Sequence, residues 1–291
     1  MSSKKIPLSR AFLWILGSTL LLSGTAFMGW LYFLHVKEKR YQDDQYQIVA
    51  LVQSNPQRDA LKSAYLAEVL DLSLDRPVNL YQFNAKEGVK TLLANPLIKE
   101  ASIKKILPGT LLINYQLRTP LAYLGDFANT VIDEEGTLFP FRPFFTPKRL
   151  PIFILGIREG ECQWGCSLKD EHSLKLAFSI LDQFDALKED RFRIKQLDVS
   201  QAQADSYGQR QVVLVLEEKS QDWNASENPE SLVYVRLNSD DPAQALANLK
   251  TLQSALFENK EDTVVKDQVK KSGMMLIDLR IPHLAYIKRG S

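Results

Sequence analysis

The sequence predicts an α+β protein with three parts: an N-terminal transmembrane helix, a small β-α-α-β-β module and a larger mixed module built on an antiparallel-rich sheet. Three observations predict this class. A run of apolar residues without charge lies at 11–34, strand and helix periodicities alternate from residue 47 onward, and 291 residues suit about two domains. With 45% hydrophobic and 24% charged residues, the chain has the composition of a folded protein.

The apolar run at 11–34 is long enough to cross a membrane. Its 24 residues span about 36 Å as a helix, against a hydrocarbon core of about 30 Å. Trp30 and Tyr32 suit an interfacial aromatic belt. No A-x-A-like cleavage site follows, so an uncleaved anchor is favoured over a signal peptide, and a buried soluble helix is least favoured. Each flank has three basic residues, so charge leaves the orientation of the tail at 1–10 open.

The overall charge and the rare residues exclude several classes of function. The 36 Lys and Arg against 35 Asp and Glu leave no positive excess for nucleic acid. Three His and two Cys are too few for a multi-ligand zinc site or a disulfide-dense scaffold. Cys162 and Cys166 form a small disulfide in an oxidising compartment, and otherwise they are free thiols.

The small module is predicted at 47–119. Apolar alternation and turn residues divide it into a strand, two helices and two strands, with Pro96 ending the second helix and Pro108-Gly109 joining the last two strands. The predicted elements in order are 47–54, 58–70, 85–94, 98–106 and 110–118.

The larger module is predicted at 120–288. Two amphipathic helices have one apolar face each, and we interpret both faces as core. The first follows a capping-box spacing at Ser167 and Asp170. The second begins with Asp241 as N-cap and Pro242 at its first position. Strand-like runs lie at 129–133, 150–156, 211–218, 231–238 and 274–280.

A series of motifs resembles the FtsQ/DivIB family of bacterial cell-division proteins. The family shows a short helix ending in a Pro-containing loop, a Pro-turn between strands, an R-x-P-x-A segment, a D-x-x-G turn, a Leu-Pro before the next strand and a closing D-L-R strand. The matching residues here are Pro96, Pro108, Arg118 with Pro120 and Ala122, Asp133 with Gly136, Leu150-Pro151 and the MLIDLR run at 275–280.

The resemblance implies a fold, a location and partners. It implies a POTRA-type domain at 47–119, a β-domain at 120–288, a cytoplasmic tail at 1–10 and a periplasmic body at 35–291. The chain would be a single-pass inner-membrane protein of the divisome at the septum, binding FtsB and FtsL homologues and acting upstream of the septal peptidoglycan synthases. Two features depart from the family: Leu117 replaces its usual Glu, and residues 157–170 match no family pattern.

The partner site is predicted on the last strand of the second module. Pro282 cannot donate a sheet hydrogen bond and belongs at a strand start or edge, and the LAYI run after it suits a short edge strand. The resemblance implies that this region holds FtsB by strand addition. Tyr286 is the strongest expected anchor; the alternative is that these residues merely close the sheet. The predicted residues are Arg280, Leu284, Ala285, Tyr286, Ile287 and Lys288.

Enzyme motifs are incomplete. Ser102 and Lys105 match S-x-x-K, but neither S-x-N nor K-T-G accompanies them. The sequence contains neither an H-E-x-x-H nor a G-x-S-x-G motif. The acidic run at 133–135 precedes Gly136 and is interpreted as a solvated turn.

We therefore predict a non-enzymatic scaffold with no catalytic residue, metal or cofactor. One alternative is a membrane-tethered cell-wall enzyme, which would need a complete catalytic constellation. The other is a POTRA-bearing outer-membrane secretion or assembly protein, which would need several POTRA repeats and amphipathic barrel strands.

Overall fold

The chain folds as a mixed α+β protein, as predicted. The computed structural model describes residues 8–73, 75–158, 160–187, 191–219, 232–257 and 274–289. The fold divides into two compact units. The first comprises the chain up to Pro56 with Leu61–Leu93 and Glu100–Gln116; the second comprises Gln57–Ala60, Ala94–Lys99 and the chain from Leu117 onward. The domain limits 47–119 and 120–288 stay predictions.

The N-terminal helix α1 extends over Leu8–Gln42. Its portion Phe12–Gln42 is long and apolar enough to cross a membrane, and no second helix of that kind occurs in the described part of the chain. All side chains from 12 to 34 are exposed, so this apolar surface is not covered by the rest of the protein. The predicted membrane span ends at residue 34, but the helix continues for eight more residues to Gln42, because residues 35–42 keep the helical hydrogen bonding.

The first unit contains a three-stranded sheet with two helices. The strand order is β1-β3-β2, and β1 runs parallel to β3. Along β3, Leu111, Ile113 and Tyr115 are buried and alternate with more exposed residues, as the sequence predicts. The elements are β1 (Ala50–Ser54), α2 (Ser63–Val69), α3 (Ala85–Ala94), β2 (Ile98–Ile106) and β3 (Thr110–Leu117).

Two close approaches fix this unit. The Tyr115 hydroxyl donates to Gln53 Oε1 at 3.1 Å and accepts from the Leu61 amide at 2.9 Å, which ties β3 to β1 and to the start of the helical segment. A Cβ at Gly109 would stand 2.0 Å from the Gln47 carbonyl oxygen. Only glycine therefore fits this turn.

The second unit is built on one nine-stranded sheet of order β12-β11-β10-β9-β8-β7-β4-β5-β6. Five of its strand pairs are antiparallel and three are parallel, so the sheet is mixed. The strands are β4 (Ala122–Leu124), β5 (Thr130–Ile132), β6 (Leu138–Pro140), β7 (Ile152–Ile154), β8 (Phe192–Asp198), β9 (Val212–Glu218), β10 (Leu232–Leu237), β11 (Met274–Leu279) and β12 (Tyr286–Arg289).

Helices α4 (His172–Ala186) and α5 (Pro242–Phe257) pack on this sheet in one continuous hydrophobic core. The Asp241 cap is confirmed, since the Gln244 amide donates to Asp241 Oδ1 at 3.0 Å. The capping box at Ser167 is wrong: α4 begins after Glu171, which makes no side-chain cap. The Ser167 hydroxyl donates instead to the Glu135 carbonyl at 3.3 Å.

Candidate partner-binding site

Strand β12 lies at one end of the nine-stranded sheet. It pairs antiparallel with β11, with Tyr286 opposite Asp278 and Ile287 opposite Ile277. Among the described residues no strand lies on its other side. One edge of β12 therefore presents backbone groups that another chain can pair with.

A tight turn leads into β12 and exposes apolar side chains. The Leu284 amide donates to the Ile281 carbonyl at 3.2 Å, and His283 occupies the left-handed region with φ 64°. Pro282 lies in this turn, so the strand begins at Tyr286, later than the predicted LAYI run. Ile281, Leu284 and Tyr286 are 62%, 57% and 61% exposed. Three large apolar side chains in one short exposed segment are typical of an interaction surface.

These side chains form one wall of a groove, which we call the C-terminal groove. Its volume is about 270 Å³, and its opposite wall contains Tyr207, Arg210 and the loop 238–240. The Tyr207 hydroxyl donates to Asp240 Oδ2 at 3.4 Å, and the Arg210 guanidinium lies 5.8 Å from the centre of the Tyr207 ring. The groove lining thus combines exposed apolar side chains with polar and charged ones.

An ion pair forms part of the groove lining. Arg280 donates from Nε to Asp278 Oδ1 at 3.0 Å and from Nη2 to Oδ2 at 2.8 Å, and Arg236 Nη1 lies 3.9 Å from the same Oδ2. Burial alone would raise the pKa of Asp278, but the hydrogen bonds from Arg280 bring that pKa below its ordinary value. The same hydrogen bonding raises the pKa of Arg280. The charge of Arg280 is therefore already balanced within the protein.

The six predicted residues divide into two sets. Arg280, Leu284 and Tyr286 line the C-terminal groove. Ala285 packs against the hydrophobic core, and Ile287 is half-buried opposite Ile277. Lys288 is exposed on β12 outside the groove lining, and it forms no ion pair within the described part of the chain.

The other residues that line the groove, Tyr207, Arg210 and the loop 238–240, are not predictable from the sequence. The one usable signal was an aromatic residue, Tyr207, inside the polar stretch 205–211. Neither the spacing nor the periodicity of that stretch places it beside residues more than 70 positions later, because only the fold of the sheet brings β9, β10 and β11 side by side.

The other end of the sheet, at β6, is covered by a loop closed by a disulfide. Cys162 and Cys166 are bonded, with a Cα–Cα distance of 5.9 Å, which decides between the two predicted states. The Gly165 amide donates to the Leu138 carbonyl at 2.8 Å, and the Leu138 amide donates to the Cys166 carbonyl at 3.0 Å. We call residues 162–166 the disulfide loop. It satisfies the amide and the carbonyl of Leu138, which would otherwise be open to a foreign strand.

The acidic turn is a structural ion-pair cluster. Asp133 is 3% exposed, so the prediction of a solvated turn is wrong for this residue. Its Oδ1 accepts from the Thr137 amide at 2.8 Å, and its Oδ2 lies 2.7 Å from Arg118 Nη1. Glu135 pairs with Arg118 at 3.0 Å and with Lys99 at 2.8 Å. Gly136 closes the turn with φ 77°, a conformation that glycine adopts without strain.

The residues considered for enzyme chemistry are dispersed. His35 lies on α1, His172 begins α4 and His283 lies in the turn before β12, while Ser102 lies in β2. The described ranges contain no group of three or more His, Cys, Asp and Glu side chains that could hold a metal ion.

No protein-family model matches the chain, and no curated protein matches it either.

Proposed function

We propose that this chain is a non-enzymatic scaffold of the FtsQ/DivIB type in the bacterial divisome. It is a single-pass inner-membrane protein with a POTRA-type first domain and a periplasmic β-domain. It binds FtsB and FtsL homologues, recruits further division proteins to the septum and regulates the septal peptidoglycan synthases. The motif series from Pro96 to Arg280 is the basis of this family assignment.

The difference between the two ends of the large sheet carries the binding part of the proposal. The disulfide loop covers β6, whereas β12 has an open edge among the described residues and the C-terminal groove beside it. Proteins usually protect sheet edges against unwanted pairing. An edge left open next to exposed apolar side chains therefore supports a role in binding an added strand.

In strand addition, the backbone and the side chains of β12 contribute to binding in different ways. Backbone hydrogen bonds from β12 supply sequence-independent affinity, and the groove accepts an apolar side chain of the partner strand. Tyr286 supplies the aromatic anchor, because interface energy concentrates in aromatic and Arg residues. Lys288, which forms no ion pair within the described part of the chain, offers its charge to an acidic partner residue, while Arg280 is held in place by Asp278.

The membrane part of the proposal rests on α1 and on the disulfide. Helix α1 provides one segment of spanning length, and residues 1–10 are assigned to the cytoplasm on the strength of the family resemblance. A disulfide persists in oxidising compartments such as the periplasm. Both features are consistent with a periplasmic location for the body.

Binding to the purified full chain tests the site. We expect Tyr286→Ala to weaken binding of an FtsB homologue by about 1–3 kcal/mol, because it removes the anchor from the groove edge. The matched control is Trp164→Ala, which removes another exposed aromatic side chain, 53% exposed, at the covered end of the same sheet. That variant should bind normally.

Two results would count against the proposal at different levels. If a Tyr286→Ala variant with unchanged thermal unfolding binds as well as the wild type, the β12 edge is not the site. If crosslinking of the tagged chain in its own cell recovers neither an FtsB nor an FtsL homologue, the scaffold function itself is wrong.

A further inference from the structure

The end of α1 is held by a short segment of the first unit, residues 78–82, which we call the clamp segment. Asn79 is only 6% exposed, although it carries a polar amide. Its Nδ2 donates to the Arg40 carbonyl at 2.9 Å and to the Asp43 carbonyl at 3.3 Å. The Arg40 carbonyl is one of the last four of α1, which have no further helical N–H group to satisfy them, and the Asp43 carbonyl just beyond the helix also accepts from the Tyr46 amide at 3.1 Å.

Further hydrogen bonds join the clamp segment to the same stretch. The Leu80 amide donates to the Tyr46 carbonyl at 2.7 Å, and the Ile48 amide donates to the Val78 carbonyl at 2.9 Å. Gln82 Nε2 donates to the Tyr41 carbonyl at 3.2 Å. The helix thus enters the first unit without a free linker, and its end cannot turn relative to the clamp segment without breaking these bonds.

The contact between the end of α1 and the clamp segment lies close to the membrane surface. If the hydrocarbon core ends near Leu34, Gln42 lies about 12 Å beyond it at 1.5 Å per residue. The headgroup layer on each side is about 5–7 Å thick. Lys37 therefore lies about 4.5 Å beyond Leu34, within this layer, and Arg40 lies about 9 Å beyond it, from where its long side chain can reach back to the lipid phosphates.

Residues 35–40 include three cations, Lys37, Lys39 and Arg40, and aromatic rings lie beside two of them. Lys37 Nζ lies 5.4 Å from the centre of the Tyr41 ring, and the Arg40 guanidinium lies 5.6 Å from the centre of the Tyr81 ring. Lys37, Lys39 and Arg40 are exposed, and within the described residues none of them forms an ion pair. Glu38 is the one acid among residues 35–40, and Asp43 and Asp44 follow the helix, farther from the apolar run.

We propose that the clamp segment fixes Lys37 and Arg40 in the headgroup layer, where they bind the phosphates of anionic phospholipids. Cationic and aromatic side chains together suit this layer, since the rings lie among the headgroups and the charges attract anionic lipid. The rigid contact between α1 and the clamp segment lowers the cost of this binding, because Arg40 is already ordered over Tyr81. The inference requires α1 to span a membrane but is independent of FtsB binding.

The lipid preference of the full chain tests the binding. The protein is placed in nanodiscs of equal parts phosphatidylglycerol and phosphatidylcholine, and the lipids that it retains after mild detergent extraction are counted by native mass spectrometry. We expect the wild type to retain phosphatidylglycerol at least about threefold over phosphatidylcholine, and Lys37→Gln/Arg40→Gln to lose this preference. The charge-matched control Lys86→Gln/Lys104→Gln, on exposed positions of the same unit, should keep it. An equal loss in the control, or no preference in the wild type, overturns the proposal.

A distance measurement between α1 and α3 tests whether the clamp segment holds the end of α1 in place. Spin labels at Glu38→Cys on α1 and Thr91→Cys on α3 should give a narrow distance distribution that Asn79→Ala broadens. The control Asn248→Ala, at a half-buried position of α5 in the second unit, should leave the distribution unchanged. Asn79→Ala should also reduce the phosphatidylglycerol preference at least about twofold, although all three cations remain. An unchanged preference despite a broadened distribution would contradict the positioning role of the clamp segment. A Tyr286→Ala variant should behave as wild type in both measurements.

Discussion

Arg118 is the centre of a charge cluster that sequence spacing does not reveal. Its Nη1 lies 2.7 Å from Asp133 Oδ2 and 3.0 Å from Glu135 Oε2. The sequence identifies the D-x-x-G turn correctly, because Gly136 and Asp133 are local features. It does not show that Asp133 is buried, since that burial depends on Arg118, which contributes from a different segment.

We expect Arg118→Gln to lower the free energy of unfolding by about 3 kcal/mol, because it leaves the buried carboxylate of Asp133 without its cation. Urea unfolding of the full chain measures this. The control Lys90→Gln removes the exposed pair with Glu87 and should cost less than about 0.5 kcal/mol. Equal small losses in both variants would show that the Arg118 pair contributes no more than a surface pair.

Lys99 gives the same cluster a dependence on pH. Lys99 first, and then Arg118, lower the pKa of Glu135 below its ordinary 4.5 by donating hydrogen bonds. A lowered pKa in the folded state gives stabilisation that is present above the unfolded-state pKa and is lost as the pH falls through the folded-state pKa. Lys99→Gln removes the larger cause. We expect the variant to be less stable than the wild type at neutral pH, with a difference that shrinks in acid below the ordinary pKa of Glu135.

Urea unfolding over a series of pH values checks this expectation. A difference between Lys99→Gln and the wild type that stays constant down to about pH 2 would contradict it, because Glu135 is then protonated in both proteins.

At the scale of elements, regular strands are predictable from sequence and short or irregular strands are not. The runs at 211–218, 231–238 and 274–280 are found as β9, β10 and β11. β8 is missed because a register shift between Ile194 and Gln196 interrupts its apolar alternation. β4 and β6 have three residues each and are not predicted, whereas the equally short β5 and β7 are predicted because they lie within the strand-like runs 129–133 and 150–156.

Exposed and half-buried side chains alternate along β12, so we expect different residues of this strand to contribute to stability and to binding. Ile287 is half-buried and lies opposite the fully buried Ile277, whereas Tyr286 is exposed. We expect Ile287→Ala to lower the free energy of unfolding by about 1 kcal/mol through lost packing, with little change in affinity for the FtsB homologue. Thermal unfolding and a binding titration on the same samples measure both effects. A large loss of affinity at unchanged stability would place Ile287 in the interface.

The disulfide loop is expected to protect β6 as well as to stabilise the second unit. For a loop of this length, Cys162→Ser/Cys166→Ser should cost about 2 kcal/mol. We also expect the variant to self-associate with rising concentration, because the edge of β6 loses its cover. Light scattering of the variant, and of wild type treated with a reductant, measures this. If both remain monomeric, the hydrogen bonds between the loop and β6 are sufficient without the disulfide.

At the scale of the whole molecule, we expect the chain to have one orientation in the membrane. The flanking charges are equal, so the family resemblance alone assigns residues 1–10 to the cytoplasm and 35–291 to the periplasm. A reporter fused after Ser291 that is active only outside the cytoplasm should be active. Activity of a cytoplasm-only reporter at the same position would reverse the assignment.

The division of the chain into two units is only partly predictable from the sequence. The sequence patterns predict a division near Arg118 to Ala122, and the last segment of the first unit ends close to it, at Gln116. However, residues 57–60 and 94–99 belong to the second unit, although the sequence pattern includes them in the small module. Asp59 explains the first case, since its carboxylate lies 2.7 Å from Lys148 Nζ and accepts from the Thr146 amide at 3.2 Å. Such long-range pairs have no signature in a local pattern.

The placement of the disulfide loop also has a consequence for newly made chains. β6 and the two cysteines lie within about thirty residues of one another, and β8 to β12 follow later in the sequence. A short loop closes at little entropic cost and does not need the distant strands. One end of the growing sheet is therefore shielded from neighbouring nascent chains while most of the sheet is still unmade, and β12, the strand proposed to bind a partner, is completed last.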